Sequence, residues 1–163
     1  MGPSPPGGYL EPSDAQRFAL SSHDEILDDH RRLTGHLRRL ELGLGRAGDD
    51  PAWLADASAI LAILHEELPE HFRKEEGDLF QTVPVESPRF ARRLAELELE
   101  HPKLLEMVRG VVERAAALVV PEPGELRELA ESCRCFITTL RRHEGAENEI
   151  IAKATWEDLG VGD

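Results

Sequence analysis

The chain contains 163 residues, which is long enough for one domain with a substantial apolar core. Its 32 acidic residues outnumber its 19 lysines and arginines, and the resulting net charge of −13 opposes binding to nucleic acid phosphates and to anionic membranes. The longest apolar runs, such as AAALVV at 115–120, are far shorter than the roughly 20 residues of a membrane-spanning helix. Composition therefore predicts one domain with no nucleic acid partner and no membrane partner.

The N-terminal segment MGPSPPGGYLEPSD is rich in proline and glycine and contains neither a basic region nor an apolar block. This composition predicts a flexible arm over residues 1–21 rather than a secretory signal, and it favours a cytoplasmic location. The two cysteines, Cys133 and Cys135, lie too close together on a helix to pair easily. We therefore expect both thiols to be reduced, with Cys133 in the core.

After the arm, apolar residues recur at alternating steps of three and four, which is the spacing of helices with one buried face. Asp50-Pro51 and Ser87-Pro88 each combine an N-cap residue with a proline suited to the first helical turn. The predicted helices cover residues 23–44, 50–79, 87–118 and 126–154. This pattern predicts an all-α domain, an up-down-up-down four-helix bundle at residues 22–155 followed by a tail at 156–163.

The helices contain an internal repeat of histidine and glutamate. DHRRL at 29–33 matches EHPKL at 100–104 as acid, His, any residue, base and Leu, and HFRKE at 71–75 matches HEGAE at 143–147 as H-x3-E. His30 and His101 are 71 residues apart, and the two H-x3-E motifs are 72 residues apart. Four residues of a helix turn through about 400°, so each His and Glu of an H-x3-E lies on one face. The chain therefore reads as one helix pair used twice.

These polar residues fall on helix faces that are otherwise apolar. Burying an ionised carboxylate without a partner costs on the order of several kcal/mol, and nearby buried imidazoles also need partners. Metal cations offset this cost, because imidazole nitrogens and carboxylate oxygens are their ligands. With Glu75 and Glu147 bridging, each of two metals would receive two histidines and two carboxylate oxygens, which suits a pair of irons that bind a small diatomic molecule or a peroxide. Manganese or zinc also accepts these ligands.

The segments DHRRL, HFRKEEGDLF, EHPKL and HEGAENEI resemble the hemerythrin-like (HHE cation-binding) domains over roughly residues 22 to 152. The resemblance implies a four-helix bundle around a carboxylate- and oxo-bridged non-haem di-iron centre. The matching ligand positions are His30, His71, Glu75, His101, His143 and Glu147. Oxygen-carrying hemerythrins have a further histidine four residues after the third one, where this chain has Leu105. The chain is thus more similar to members linked to oxygen or iron sensing, nitric oxide and peroxide chemistry, and iron-centre repair.

The leading functional prediction from this resemblance is binding or sensing of O2 or a related small oxidant, with NO and H2O2 as the other ligands. One alternative is an oxidoreductase that consumes peroxide or nitric oxide. Another is an iron-holding or iron-centre repair protein. The repair proteins of this group carry an additional N-terminal domain with cysteine, whereas both cysteines of this sequence lie in the last predicted helix. The resemblance therefore favours binding or sensing over repair.

Several residues near the six candidates receive simpler predictions. His23 lies two turns before His30, about 10 Å along the helix, and is expected near the entrance of the site or beside a ligand, with a fifth-ligand role as the alternative. His36 and His65 fall off the inward faces and are expected at the surface or between helices. Three glutamates are expected on solvated faces, although any of them could instead hold the distal nitrogen of a histidine: Glu67, Glu76 and Glu144.

Pro69 and Pro102 lie inside predicted helices next to candidate histidines. Each lacks a backbone N–H and frees the carbonyl four residues earlier, which predicts a bend. A more specific hypothesis is that the Glu98 carbonyl, freed by Pro102, accepts a hydrogen bond from the ring of His101.

Overall fold

The computed structural model describes residues 14–47, 50 and 52–158. The described residues form six α-helices: α1 (Asp14–Leu44), α2 (Ala52–Gly77), α3 (Leu79–Glu86), α4 (Ala91–Glu98), α5 (His101–Ala117) and α6 (Pro123–Asp158). A 3-10 turn at Pro88–Phe90 joins α3 to α4, and the described residues contain no strand. Among these helices, none is both long and apolar enough to cross a bilayer.

Four of the helices form the predicted bundle. Helix α1 packs against α2 and α6, and α5 packs against the same two helices, so the four enclose a common interior. Short connections join α1 to α2 and α5 to α6, and α3 and α4 lead the chain from α2 back to α5, as in the up-down-up-down arrangement. The all-α bundle predicted from sequence is confirmed.

The interior consists of two apolar clusters with polar residues between them. The larger cluster fills the bundle and includes Leu33, Leu68 and Leu104, while the smaller one joins α3 and α4 to α1 and α6. Along each long segment the candidate ligands lie between the two clusters, as His30 lies between Ile26 and Leu33. The polar site is therefore closed off by apolar packing at both ends.

The cysteine predictions are also supported by the packing. Cys133 is fully buried in the larger cluster, and both cysteines are free thiols. Burial raises the pKa of the Cys133 thiol to about 12, so this group stays protonated and unreactive.

The third predicted helix is not continuous. Residues 87–118 form the 3-10 turn, α4 and α5, with an interruption at Leu99 and Glu100. Pro102 cannot donate the backbone hydrogen bond that would tie this turn to the Glu98 carbonyl, and the Glu100 N–H turns to Leu97 instead, at 2.8 Å. Most of α3 was not predicted either, because the second predicted helix ended at Leu79, the first residue of α3. Together α3 and α4 form a cap, residues 79–98, across one end of the bundle.

The predicted boundaries differ from the observed helix ends. Residues 14–21 are helical rather than part of a flexible arm, because no proline or glycine lies between Pro12 and Gly35 and good helix formers follow Asp14. Residues 1–13 lie outside the described residues. At the other end, α6 continues to Asp158, three residues into the predicted tail, and residues 159–163 are not described. The start of the second helix agrees better, since Asp50 Oδ1 accepts a hydrogen bond from the Ala52 N–H at 2.9 Å.

The contact between α1 and α2 depends on a glycine. A Cβ atom at Gly43 would lie 2.6 Å from Cδ1 of Trp53, a side chain only 1% exposed. We therefore expect Gly43→Ala to lower the free energy of unfolding by about 1–3 kcal/mol, because the buried indole must move. Gly35→Ala is the control, since a Cβ there meets no atom within 4 Å. It should raise stability by about 0.5–1 kcal/mol. Chemical denaturation measures both changes, and equal stabilities for the two variants would contradict this packing.

Candidate metal centre

The structure brings the side chains of all six predicted site residues together in the interior. Helix α1 contributes one histidine, α2 a histidine and a glutamate, α5 one histidine at its first residue, and α6 a histidine and a glutamate. All are buried: His30, His71, Glu75, His101, His143 and Glu147. The two glutamates are 0% exposed, so water does not solvate their carboxylates.

One half of the site is formed by His101 and His143, whose Nε2 atoms lie 3.1 Å apart. Glu147 Oε1 lies 3.1 Å from His143 Nε2 and 3.7 Å from His101 Nε2. Glu75 Oε2 lies 3.4 Å from His101 Nε2. Nitrogen and oxygen atoms from these four residues all lie within 4.8 Å of one another, which is close enough to surround one cation.

The other half is formed by His30 and His71. Glu75 Oε1 lies 2.8 Å from His30 Nε2 and 3.1 Å from His71 Nε2, so Glu75 directs one oxygen at each half. Glu147 Oε2 is farther away, 3.6 Å from His30 Nε2. Three residues therefore converge closely here, against four in the other half. Glu75 belongs to both groups, so its two oxygens face different histidine pairs.

The donor atoms of this site fit a metal ion. Several of them are buried and have no hydrogen-bond partner: both ring nitrogens of His71, Oε2 of Glu75 and both carboxylate oxygens of Glu147. Unpartnered buried polar atoms are rare in folded proteins because each carries an uncompensated desolvation cost. Coordination of cations by these nitrogens and oxygens would offset that cost.

In the metal-free chain the charges are balanced in another way. Burial alone would lower the pKa of His30, but its hydrogen bond to Glu75 and the nearby charge raise it to about 9. Burial likewise opposes ionisation of Glu75, yet the contacts with His30 and His71 hold the pKa of this carboxyl well below its usual value. A protonated imidazole thus neutralises a carboxylate where a metal cation could do so.

Three of the four histidines also meet an acceptor at the outer nitrogen, Nδ1. His101 Nδ1 donates to Glu76 Oε1 at 2.8 Å, and His143 Nδ1 donates to Glu100 Oε2 at 3.2 Å. His30 Nδ1 donates to Asn148 Oδ1 at 2.8 Å. For His71 the nearest acidic group is Asp29, whose Oδ2 lies 3.7 Å from Nδ1, beyond a normal hydrogen bond. Protons on the Nδ1 atoms leave the Nε2 atoms to face the centre.

These outer acceptors follow the internal repeat. Asp29 and Glu100 directly precede His30 and His101, and each faces the histidine of the next long helix. Glu76 directly follows Glu75, and Asn148 directly follows Glu147. Each of these two residues faces a histidine of the other helix pair, His101 for Glu76 and His30 for Asn148. The alternative considered for Glu76, that it holds the distal nitrogen of a histidine, is confirmed. Sequence analysis missed the other three, although the acid before each histidine was part of the recognised repeat.

Two aromatic rings hold His101 in place. Phe72 stacks on the imidazole with ring centroids 4.0 Å apart and an interplanar angle of 5°. Phe80, from the cap, stacks at 5.3 Å, and Phe72 also meets His143 edge-on at 5.7 Å. The His101 and His143 half is therefore enclosed by aromatic carbon as well as oriented by carboxylates.

Two sequence-based predictions near the site are wrong. The Glu98 carbonyl does not hold His101, because the outer nitrogen of this ring bonds to Glu76 and the inner one faces the centre. Glu144 is not on a solvated face, since it is only 3% exposed and its Oε1 has no partner. Burial raises the pKa of Glu144 to about 8, so its carboxyl group is protonated at neutral pH in the metal-free chain. It follows His143 directly on α6, where the helix turns this residue inward as well.

The remaining polar residues lie outside the two groups of donors. Glu67 is partly exposed and bonds to Arg32 at 3.2 Å, while His36 lies 3.8 Å from the same carboxylate, as expected for an interhelical position. His65 is exposed, as predicted. His23 is 8% exposed with an unpartnered Nε2, and it belongs to neither donor group, so the fifth-ligand alternative is not supported.

A helical bundle whose four long segments direct histidines and glutamates into a shared, desolvated interior has the architecture of a cation-binding protein. The family model for the hemerythrin HHE cation-binding domain matches residues 21–155, which is most of the chain. The chain belongs to this family. Comparisons with curated proteins and with solved structures gave no significant match.

Proposed function

We propose that the chain is a non-haem di-iron protein that binds or senses O2 or a related small oxidant at this centre. The observation that carries the proposal is the shared position of Glu75, which faces both histidine pairs while the oxygens of Glu147 remain without hydrogen-bond partners. One metal would bind His101, His143, Glu75 and Glu147. The other would bind His30, His71 and Glu75, with Glu147 completing the bridge.

Iron bound here would supply reversible redox chemistry and a coordination position for a small ligand. The protein's own residues would determine access and orientation. The cap and the larger core close both ends of the site, which favours ligands of a few atoms over larger substrates. Fewer donor residues converge beside His30 and His71, so a metal held there would keep more coordination positions for a ligand. The free thiols of Cys133 and Cys135 suit a reducing compartment, and we propose a cytoplasmic location.

Metal analysis and optical spectroscopy of protein purified in air test this proposal. We expect about two irons per chain and near-ultraviolet bands from oxygen-to-iron charge transfer. Adding O2, NO or azide to the reduced protein should change the spectrum, because these ligands would occupy the open position. Manganese or zinc in place of iron would overturn the assignment of the metal.

Two further outcomes separate the proposal from its alternatives. Multiple turnovers of H2O2 or NO per chain would identify an enzyme rather than a binding or sensing protein. Firmly bound iron whose spectrum does not respond to any of these ligands would identify an iron-holding protein. Both measurements use the unaltered chain, so neither result depends on whether a substituted protein folds.

A further inference from the structure

The two halves of the site are related by the internal repeat, but the repeat is broken at one position. Glu76 follows the bridging Glu75 and accepts from His101, whereas the equivalent residue after Glu147 is Asn148, which accepts from His30. A carboxylate in one half is thus replaced by a neutral amide in the other. The two cation positions are therefore chemically different, even though each is built around a pair of histidines.

We propose that the position between His101 and His143 is the tight cation site and fills first, and that the position between His30 and His71 is the weaker site and fills second. This inference rests on the proposed function, because it assumes that both positions bind metal. It concerns residues that do not themselves contact the metal, and it assigns Glu76 and Glu100 as positioning residues for the tight site. The order of filling follows in three steps.

The first step is charge. A carboxylate that accepts from the outer nitrogen of an imidazole makes the inner nitrogen a stronger donor to a cation and adds negative charge nearby. Both histidines of the tight site have such a partner, Glu76 for His101 and Glu100 for His143. Arg142 Nη2 lies 3.7 Å from Glu100 Oε2, but the side chain of Arg142 is 68% exposed, so solvent screens this contact.

The second step concerns the weaker site, where the single outer carboxylate is already shared. Asp29 Oδ2 bonds to Lys74 Nζ at 2.9 Å, and Asp29 Oδ1 lies 3.0 Å from an arginine, Arg32. These cations compete with the imidazole of His71 for the carboxylate, and His71 Nδ1 accordingly stays 3.7 Å away. The other histidine has only the neutral Asn148 amide as its outer partner.

The third step is preorganisation. Stacking of Phe72 and Phe80 fixes the ring of His101 before any cation arrives, so little side-chain entropy is lost on binding. His71 Nε2 lies 3.1 Å from Glu75 Oε1, but its Nδ1 has no hydrogen bond, so this ring lacks the outer partner and the stacked aromatic pair that orient His101. Four donors also converge at the tight site and only three at the weaker one. Charge, orientation and donor number all favour the same position.

Calorimetry tests the order of binding. The chelator-treated protein is titrated with Fe(II) under anaerobic conditions, and the heat of each addition is measured. We expect two separable binding events. Replacing Glu100 or Glu76 with glutamine should weaken the first event by roughly 10- to 100-fold, the range typical for a lost partner of a metal-binding histidine. Asp29→Asn should weaken the second event only. Asn148→Asp should strengthen the second event by restoring the acid that the repeat has lost.

The matched control is Glu98→Gln, because Glu98 is an exposed carboxylate near Glu100 at the end of α4. It should leave both events unchanged, and circular dichroism of each variant checks that the bundle folds. A crystal of the unaltered protein grown with one equivalent of Co(II) provides a test without variants. Its anomalous signal should lie between His101 and His143.

The outcomes distinguish the inference from the proposed function. Two equal affinities, or a Co(II) signal between His30 and His71, would overturn the order of filling while leaving a two-metal protein. Absence of any binding would overturn the proposed function itself. A first event that weakens in Asp29→Asn and not in Glu100→Gln would show that the tight site is the other one.

Discussion

Glutamine in place of Glu75 should reduce the iron content from about two per chain to about one or fewer. Glu75 is the only residue common to both groups of converging donors, with one oxygen near His30 and His71 and the other near His101. Glutamine preserves the shape of the side chain but has no negative charge. It offers one neutral carbonyl oxygen and one NH2 group in place of the two anionic oxygens that face the two positions. Elemental analysis of protein purified in parallel with the unaltered chain measures the loss.

Glu70→Gln is the control on the same helix. Glu70 is exposed and pairs with Arg73, so its substitution should leave the iron content unchanged. Far-ultraviolet circular dichroism establishes whether each variant remains helical. If Glu75→Gln retains the full complement of metal, the bridging assignment is wrong, and the glutamate serves only to balance the charge of His30.

Removing the metal should make stability depend strongly on pH. In the metal-free chain the pKa of His30 is raised to about 9, so the folded state binds its proton more tightly than the unfolded state does. The stabilisation is fully present below the unfolded pKa of 6.5 and is lost as pH rises towards 9. We expect the free energy of unfolding to fall by on the order of 3 kcal/mol across this range. The raised pKa of Glu144 adds to the fall, because between pH 4.5 and 8 the unfolded state loses this proton while the folded state retains it.

The metal-loaded protein should behave in the opposite way, since cations bind neutral histidine and compete with protons at low pH. Thermal melting with and without a chelator at pH 6, 7.5 and 9 compares the two forms, and the gap in Tm should widen as pH rises. His30→Gln should flatten the slope of the metal-free form. His65→Gln, at an exposed position, should not change it. A metal-free protein whose stability is constant or rises above pH 6.5 would refute the ion pair between His30 and Glu75.

The bundle and the six interior residues could be predicted because each leaves a local signal in the sequence. Spacing of three and four identifies the helices, and an H-x3-E motif on an apolar face identifies residues that share one side of a helix. The inward direction of Glu75 follows from that spacing. The break at Leu99 and Glu100 did not follow, because Pro102 within a helical pattern is compatible with a bend as well as with an interruption.

The outer partners of the histidines were harder to predict, because they depend on contacts between helices rather than along them. Asn148 follows Glu147 in the chain but bonds to a histidine 118 residues away. Glu144 was assigned to a solvated face, yet α6 is enclosed on more than one side and buries it together with His143. Which neighbours of a ligand turn inward is decided by the number of helices around each segment, and sequence spacing carries little information about this.

The division of donors between the helix pairs also constrains the order of folding. The hairpin of α1 and α2 holds His30, His71 and Glu75, whereas Glu147 comes only from α6. Neither hairpin alone therefore assembles both cation positions. Metal binding should stabilise the docked arrangement of the two hairpins much more than either hairpin by itself, so that cations act late in folding and make the final assembly step cooperative.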